Sequence, residues 1–166
     1  MIQPAPCPTV NVDMRPLDAG LLEAVLAIEH AVYPHPWQAQ HFTDCLQAGY
    51  PAQVLCGGDA VLGYYVAMQG VDEVHLLNLA VAPTHQQHGW ARLMLQHLAL
   101  WARGLGAQWL WLEVRASNTR AIHLYKAFGF RYMGRRKAYY PLDGREREDA
   151  HVMSLALQDA NASFLP

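Results

Sequence analysis

A loop at residues 82–92 carries residue types that could bind a phosphate group. It reads APTHQQHGWAR and joins the apolar segment LLNLAV at 76–81 to a long helical pattern. The first turn of a helix offers unpaired backbone N–H groups and the positive end of the helix dipole, and both favour an anion. Gly89 permits a close backbone approach, and Ala91 is too small to block it. The nucleoside-triphosphate pattern G-x-x-x-x-G-K-[ST] is absent, so an ordinary strand-to-helix connection is the alternative.

The stretch between His85 and Tyr140 holds nine Lys and Arg residues but a single acid, Glu113. Glu113 lies near the end of a strongly apolar run, WLWLEV, and a carboxylate there is a candidate for acid–base work. Burial would raise its pKa, whereas nearby cations would lower it. A strand-end glutamate paired with Arg115 or Arg120 is the alternative interpretation.

Two further side chains could take part in the same chemistry. Tyr125 shares a helical face with Ala121 and Phe128. A phenol with the ordinary pKa near 10 can donate a proton at neutral pH, although core packing explains an isolated tyrosine better. Asn118 precedes the same helix and is a favourable N-cap residue.

Hydrophobic periodicity predicts the scaffold that must position these residues. Helical spacing of apolar residues is found in four stretches, at 17–32 (where Glu29 falls within the apolar stripe), 38–48, 89–104 and 118–128. Strand patterns are found in six stretches, at 52–56, 60–69, 75–82, 108–114, 130–140 and 150–157. Antiparallel hairpins at both ends and long helices between strands predict an α/β fold with a mixed sheet. We expect one domain over 12–157, with a Pro-rich flexible arm at 1–11 and a tail at 158–166.

Composition and charge exclude several classes of protein. The 166 residues are 52% hydrophobic and 16% charged, with a formal net charge of −2, which excludes a disordered chain and argues against a uniformly basic nucleic-acid binder. The charge is nevertheless divided. Residues 1–84 hold one base and eight acids, 85–140 hold nine bases and one acid, and 141–166 hold two bases and five acids. This asymmetry indicates an anionic ligand on the basic part.

The chain start and the cysteines indicate a cytoplasmic protein. The first residues lack the apolar core of a signal peptide, and no apolar run has the length needed to cross a bilayer. Cys7, Cys45 and Cys56 match no zinc spacing and are interpreted as reduced thiols. His85 and His88 have no carboxylate or cysteine near them in sequence, so we expect no metal site.

Separated motifs agree in order and spacing with a known family. They are Q-x-x-G-x-A at 86–91, LEVRASN at 112–118 and LYKAFGF at 124–130. Together they resemble the GNAT superfamily of N-acetyltransferases. YPHPW at 33–37, LLNLAV, and YYP followed by EDAHVMSL resemble its RimI-type branch, the alanine N-acetyltransferases of a small-subunit ribosomal protein. The resemblance covers about 12–157 and implies the GNAT acetyltransferase fold, a central, mostly antiparallel sheet flanked by helices.

The resemblance also implies a binding site for acetyl-CoA as co-substrate, with no metal. The loop 87–92 would hold its pyrophosphate through backbone N–H groups, and residues 79–81 would pair with its pantetheine arm as an added strand does. Family members often carry arginines where this chain has Gln87 and His88, which leaves Arg92 as the nearest fixed charge. The implied cofactor-binding residues are Leu79, Ala80, Val81, Gln87, His88, Gly89, Trp90, Ala91, Arg92 and Asn118.

The catalytic roles implied by the resemblance fall on Glu113 and Tyr125. Glu113 would be the general base, acting through water, and Tyr125 would protonate the leaving thiolate in a direct transfer within a ternary complex. A main-chain N–H near Leu79 would face the oxyanion. An α-amine, with an ordinary pKa of 7.7–8.0, asks less of its base than a lysine amine near 10.4.

The implied acceptor is the N-terminal α-amine of a protein, the alanine N-terminus of a small-subunit ribosomal protein. Tyr33, Trp37, Tyr139 and Tyr140 would line its slot, although packing explains any one of them equally well. We expect neither a direct nucleic-acid partner nor a membrane partner. Two alternatives stay open: a GNAT enzyme that acetylates a lysine or small-molecule amine, and a non-catalytic acyl-CoA-binding module.

Overall fold

A seven-stranded sheet organises the computed structural model, which describes residues 11–157. The strands are β1 (Val12–Pro16), β2 (Ala52–Gly57), β3 (Ala60–Gln69), β4 (Glu73–Val81), β5 (Trp109–Arg115), β6 (Arg131–Pro141) and β7 (Arg147–Ala156). The helices are α1 (Ala19–Val32), α2 (Ala39–Gln47), α3 (Trp90–Gly104) and α4 (Thr119–Phe128), with a 3-10 turn at Pro83–His85 before α3. The expected tail and all but the last residue of the expected arm lie outside the described residues.

The sequence predicted every one of these elements except β1. All four helices and six strands are present, with ends that differ from the predicted ones by at most three residues. The missed strand is short, ends in Pro16, and pairs along one side only, with β2. A proline is tolerated at such an edge, but a five-residue segment carries too little alternation to be recognised from sequence.

The strands are ordered β1-β2-β3-β4-β5-β7-β6, and every neighbouring pair is antiparallel except β4 with β5. The parallel pairing covers only residues 73–76 of β4 and 109–112 of β5. The rest of β4 stays paired with β3 as far as Val81, after an irregularity that leaves Leu77 without a partner in the β3 register. The two central strands therefore separate beyond Leu76 and Leu112, and we call the opening between them the strand gap.

Two hydrophobic clusters pack on the two faces of the sheet. One combines α3 and α4 with strands β3, β4, β5 and β7, and contains Leu98, Leu112 and Met153. The other combines α1 and α2 with β2, β3 and β4, and contains Phe42 and Tyr64. Within the described residues, the second cluster includes nothing from β5, β6 or β7. On that face the strand gap therefore opens beside a part of the sheet that no helix core covers.

Candidate active site

Glu113 lies in β5 one residue beyond the last pair with β4, at the mouth of the strand gap. The imidazole Nε2 of His75 donates a hydrogen bond to Glu113 Oε2 across 2.5 Å, and Arg136 Nη2 lies 3.2 Å from Oε1. The Glu113 side chain is only 9% exposed. The alternative pairing with Arg115 or Arg120 is wrong, because the partners of this carboxylate come from β4 and β6.

The surroundings of Glu113 keep its carboxylate ionised. Burial acts to raise the pKa of Glu113. The hydrogen bond and charge of His75 and the charge of Arg136 act to lower that pKa, and their combined effect is larger than that of burial. The pKa of Glu113 therefore lies below the ordinary glutamate value. At neutral pH the side chain is an anion that can accept a proton.

The side chain of Arg115 binds residues of the hairpin that β6 and β7 form. Its Nη1 lies 2.8 Å from Glu148 Oε1 and donates to the carbonyl oxygen of Pro141 across 2.9 Å. Its guanidinium carbon sits 4.6 Å from the ring centre of Tyr140. This set of contacts holds Tyr140 beside β5, two residues along from Glu113.

Tyr125 projects from α4 into the core that α3 and α4 form with the sheet. Its ring packs edge-on against Phe130 with the centres 5.6 Å apart, and burial raises its pKa to about 12. The phenol is therefore protonated throughout the neutral range and can act only as a donor of its proton. Both interpretations made from sequence, core packing and a proton donor, are compatible with this placement.

Tyr140 lies near Glu113 and is linked to two further phenols. Burial raises the pKa of Tyr33 well above its ordinary value, and Tyr125, Glu29 and Tyr140 add to that rise. Burial also raises the pKa of Tyr140, with further contributions from its neighbours Tyr139, Glu113 and Tyr125. The Tyr33 hydroxyl donates to the carbonyl oxygen of Leu79, on the part of β4 that borders the strand gap. Tyr33, Tyr125 and Tyr140 therefore influence one another, and Tyr140 is also influenced by the Glu113 carboxylate.

A buried acid that the sequence analysis left without a role holds the loop after α1. Glu29 is 1% exposed and accepts hydrogen bonds from the backbone N–H of Trp37 (2.8 Å), from Asn78 Nδ2 (3.0 Å) and from the hydroxyl of Tyr64. A buried carboxylate is stable only when its oxygens are satisfied in this way. Glu29 therefore anchors residues 33–37 to β3 and β4. The sequence feature that could have revealed this residue is an acid within the apolar stripe of a helix.

The aromatic residues expected to line an acceptor slot separate into two groups. Tyr33 and Tyr140 lie at the strand gap, as described above. Trp37 packs against Phe42, with ring centres 5.3 Å apart, and so belongs to the helix core. Tyr139 is exposed and meets Tyr140 edge-on at 4.9 Å, which places it on the outer rim.

The loop before α3 has the form that an anion cradle requires. Gly89 is its N-cap residue with φ of 82°, in the left-handed region, and no side chain caps the helix. A Cβ at Gly89 would meet nothing within 4 Å, so the loop faces open space. His88 Nδ1 lies 2.7 Å from the carbonyl oxygen of Gln86, which braces the turn from within. The first backbone N–H groups of α3 are thus free of side-chain caps, and the cradle fits a pyrophosphate.

Other candidate cofactor residues flank this loop. Residues 79–81 pair with β3 on one side, and on the other side they border the strand gap. Asn118 is the N-cap of α4, since its Oδ1 accepts from the N–H of Ala121 at 3.1 Å. Arg92 lies with its guanidinium carbon 5.5 Å from the ring centre of Phe128. Arg120 reaches the loop from α4, because its Nη1 donates to Gln86 Oε1 across 3.0 Å.

The remaining expectations concern metals, cysteines and membranes. Within the described residues, no group of three His, Cys, Asp or Glu side chains is arranged to hold a metal ion. Cys45 and Cys56 are free thiols, whereas Cys7 lies outside the described residues. None of the helices between residues 11 and 157 has the length and hydrophobicity that crossing a membrane requires.

The fold and this site define an acyl-group transferase of the GNAT type. Residues 22–130 match the acetyltransferase (GNAT) family, and the chain belongs to it. The predicted family, fold class and enzyme class are therefore confirmed.

The particular relatives are ribosomal-protein acetyltransferases. The chain is 36% identical over 142 residues to the [ribosomal protein bS18]-alanine N-acetyltransferase of Escherichia coli K12, covering 85% of this chain and 95% of that protein. The corresponding enzyme of Haemophilus influenzae is 33% identical over 141 residues, covering 85% and 96%. The crystal structure of the Escherichia coli ribosomal-protein-S18-alanine N-acetyltransferase superposes with a TM-score of 0.82 at 32% identity, covering 94% of this chain and 99% of that one. A complex of Arabidopsis thaliana NAA60 with a bisubstrate analogue, at 19% identity, TM-score 0.78 and coverage of 88% and 98%, shares the fold.

Proposed function

We propose that this enzyme transfers acetyl from acetyl-CoA to the N-terminal α-amine of a ribosomal protein, the alanine N-terminus of bS18. The observation that supports the proposal is the anionic Glu113 at the strand gap, held by His75 and Arg136 and with Tyr140 nearby. The Escherichia coli K12 relative that bears this activity in its name aligns with this chain over 95% of its own length. Such a reaction belongs in the cytoplasm, where the acceptor is made.

The acetyl-CoA site would combine the loop, the open edge of β4 and the start of α4. Residues 87–92 would bind the pyrophosphate through backbone N–H groups, and residues 79–81 would pair with the pantetheine arm along the gap. Asn118 lies at the start of α4, two residues before Arg120, whose side chain contacts the loop residue Gln86. When bound there, acetyl-CoA supplies an activated acetyl thioester.

Glu113 and Tyr125 would divide the proton transfers between them. Glu113, held as an anion by His75 and Arg136, would accept the proton of the acceptor amine through a water molecule. Tyr125, protonated at neutral pH, would donate its hydroxyl proton to the departing sulfur. A neutral α-amine is available to a sizeable extent near pH 7, so the base need not be strong.

The acceptor peptide would enter between the loop after α1 and the hairpin of β6 and β7. Tyr33 and Tyr140 would contact its first residue, and Tyr139 would form the outer wall. Trp37, packed against Phe42 in the helix core, would support the loop after α1. His35 Nε2 lies 4.0 Å from Asp143 Oδ1, so the loop and the hairpin turn approach each other. These two elements would close over the first residues of the peptide.

Mass spectrometry of three acceptors tests the proposal. The purified enzyme and acetyl-CoA are incubated with a synthetic peptide bearing the alanine N-terminus of bS18, with the same peptide blocked at its N-terminus but carrying a lysine, and with a polyamine. We expect acetylation of the free α-amine alone. Transfer to the lysine or the polyamine would instead support a different acceptor class. Acetyl-CoA binding by calorimetry without transfer to any acceptor would leave a non-catalytic binding module.

A further inference from the structure

His75 is the partner of Glu113 that the motifs of the sequence do not include. We propose that His75 is a positioning residue, which fixes the Glu113 carboxylate at the mouth of the strand gap and controls how readily that carboxylate accepts a proton. The inference deepens the proposed function and depends on it in one respect, the role of Glu113 as the base. His75 lies in β4 but outside residues 79–81, the part of that strand expected to bind the cofactor.

The geometry gives each oxygen of the carboxylate its own partner. His75 Nε2 lies 2.5 Å from Oε2, and Arg136 Nη2 lies 3.2 Å from Oε1. Two partners from two different strands fix the plane of the carboxylate as well as its position. Such fixed orientation matters for a general base, because proton transfer requires the acceptor oxygen within hydrogen-bond reach of the proton.

His75 is the more enclosed of the two partners. Its side chain is 22% exposed, whereas that of Arg136 is 54% exposed. Water screens the charge of an exposed arginine, and exposed ion pairs contribute little. The contact of 2.5 Å with the enclosed imidazole is therefore the stronger constraint on Glu113.

The register of the sheet shows which groups face His75. Its neighbours across the strands are Met68 of β3 and Trp111 of β5, and neither carries a charge. Glu113 is the carboxylate in contact from β5, and Arg136 reaches that same carboxylate from β6. The charge on the imidazole therefore acts mainly on Glu113.

The charge of the imidazole changes the basicity of the carboxylate. Histidine is the side chain whose ordinary titration falls between pH 5 and 8. An imidazolium would hold Glu113 as an anion and make it a weaker base, whereas a neutral imidazole donates only a hydrogen bond and leaves it a stronger one. Removal of His75 takes away a stabilising donor, and burial then shifts the titration of Glu113 to higher pH.

Two substitutions separate the hydrogen bond from the charge. His75→Gln keeps an N–H donor near the position of Nε2 but cannot become a cation, and His75→Leu keeps neither. We expect His75→Leu to lower kcat by about 10- to 100-fold, the range of one lost hydrogen bond to a charged group, with the KM for acetyl-CoA unchanged. His75→Gln should recover most of kcat. His97→Gln is the matched control, because His97 lies in α3 and its Nδ1 is hydrogen-bonded to the hydroxyl of Tyr65 in β3 rather than to Glu113. This variant should keep the full kcat.

A direct titration of Glu113 completes the test without acceptor or acetyl-CoA. In carbon-13 NMR of protein labelled on glutamate carboxyls, the signal of Glu113 is the one that Glu113→Gln removes. The Glu113 signal should titrate at higher pH in His75→Leu than in the natural chain. An unchanged kcat and an unchanged Glu113 titration in His75→Leu would overturn the inference. If His75→Leu does not fold, the same comparison is made with His75→Gln, and an unchanged Glu113 titration in that variant overturns the inference. A normal titration in a protein that acetylates no peptide would refute the proposed function instead.

Discussion

The hydroxyl of Tyr33 donates a hydrogen bond to the carbonyl oxygen of Leu79, across 2.5 Å and 46 positions of sequence. It joins the loop after α1 to the part of β4 that borders the strand gap. The proposed acceptor wall and the proposed cofactor edge are thereby in direct contact.

The substitution Tyr33→Phe removes that bond but keeps the ring. We expect the KM for the bS18 peptide to rise severalfold, because the loop loses its anchor, and the free energy of unfolding to fall by about 1 kcal/mol. Steady-state kinetics and urea unfolding measure the two effects. Tyr132→Phe is the control, since Tyr132 is an exposed tyrosine of β6. Equal KM values for both variants would argue against the anchoring role.

The substitution Glu113→Gln keeps the shape of the side chain and removes its charge. Since general-base catalysis contributes about 10²- to 10⁴-fold, we expect kcat to fall within that range while acetyl-CoA still binds with unchanged Kd. Kinetics and calorimetry on the same preparation provide both numbers. Glu23→Gln, at an exposed position of α1, should keep the full kcat. Full activity of Glu113→Gln would remove Glu113 from the mechanism.

The substitution Tyr125→Phe tests the proton donor. The pKa of Tyr125, raised by burial to about 12, keeps the phenol protonated, so its ionisation should cause no fall in kcat between about pH 8 and pH 10. In Tyr125→Phe we expect kcat to be lower by about 10²-fold at every pH in that window. A pH–rate profile of both proteins measures this. A natural enzyme that loses activity above pH 9 together with an unaffected Tyr125→Phe would contradict the assignment.

The substitution Gly63→Ala should destabilise the sheet beside the strand gap. A Cβ at Gly63 would lie 2.6 Å from the carbonyl oxygen of Ala80 and 2.9 Å from Met94 Cε. Because the backbone oxygen cannot move away cheaply, we expect a loss of about 1–3 kcal/mol in the free energy of unfolding. Gly104→Ala is the matched control, since a Cβ there meets nothing within 4 Å. Thermal unfolding of the two variants should differ by several degrees, and equal melting temperatures would contradict the contact.

The pair formed by Arg115 and Glu148 should make the free energy of unfolding depend on pH in the acidic range. Burial acts to raise the pKa of Glu148, but hydrogen bonds from Arg115 and Ser117 lower it below the ordinary value. A lowered pKa in the folded state contributes stability above the unfolded pKa, about 4.3, and that contribution is lost as pH falls through the folded value. We expect Glu148→Gln to be less stable at pH 7 by about 1 kcal/mol. Chemical unfolding should show this difference shrinking between about pH 5 and pH 3, and a constant difference would contradict the pairing.

Local sequence patterns predicted most of the fold, because helices and hairpins depend on neighbouring residues. The apolar stripe of α3 and the turn at residues 57–59 are signals of this kind. The comparisons confirm the fold class and the family that the motifs predicted. The roles assigned to Glu113 and Tyr125 stay predictions, for which the experiments above are designed.

The partners of Glu113 could not be predicted from sequence. His75 and Arg136 reach it through the register of β4 against β5 and of β6 against β7. Register is set by packing of the whole sheet, and a shift of one residue would turn each side chain to the other face. Residues adjacent in sequence, such as Arg115, were therefore the natural but mistaken choice. The guanidinium of Arg115 forms an ion pair with Glu148 instead.

The strand gap also bears on where a second chain could pair with the sheet. A sheet that ends in open strands invites pairing with a second chain. The outer edges here are blunted, since β1 is five residues long and ends in Pro16, while β6 is interrupted by irregular register near residues 132–134 and 136–140. The edge at residues 79–81 has no such irregularity, but it lies between two strands of the same sheet. Because this edge lies inside the sheet, a second chain cannot easily pair with it, whereas a thin, flexible molecule can still reach it.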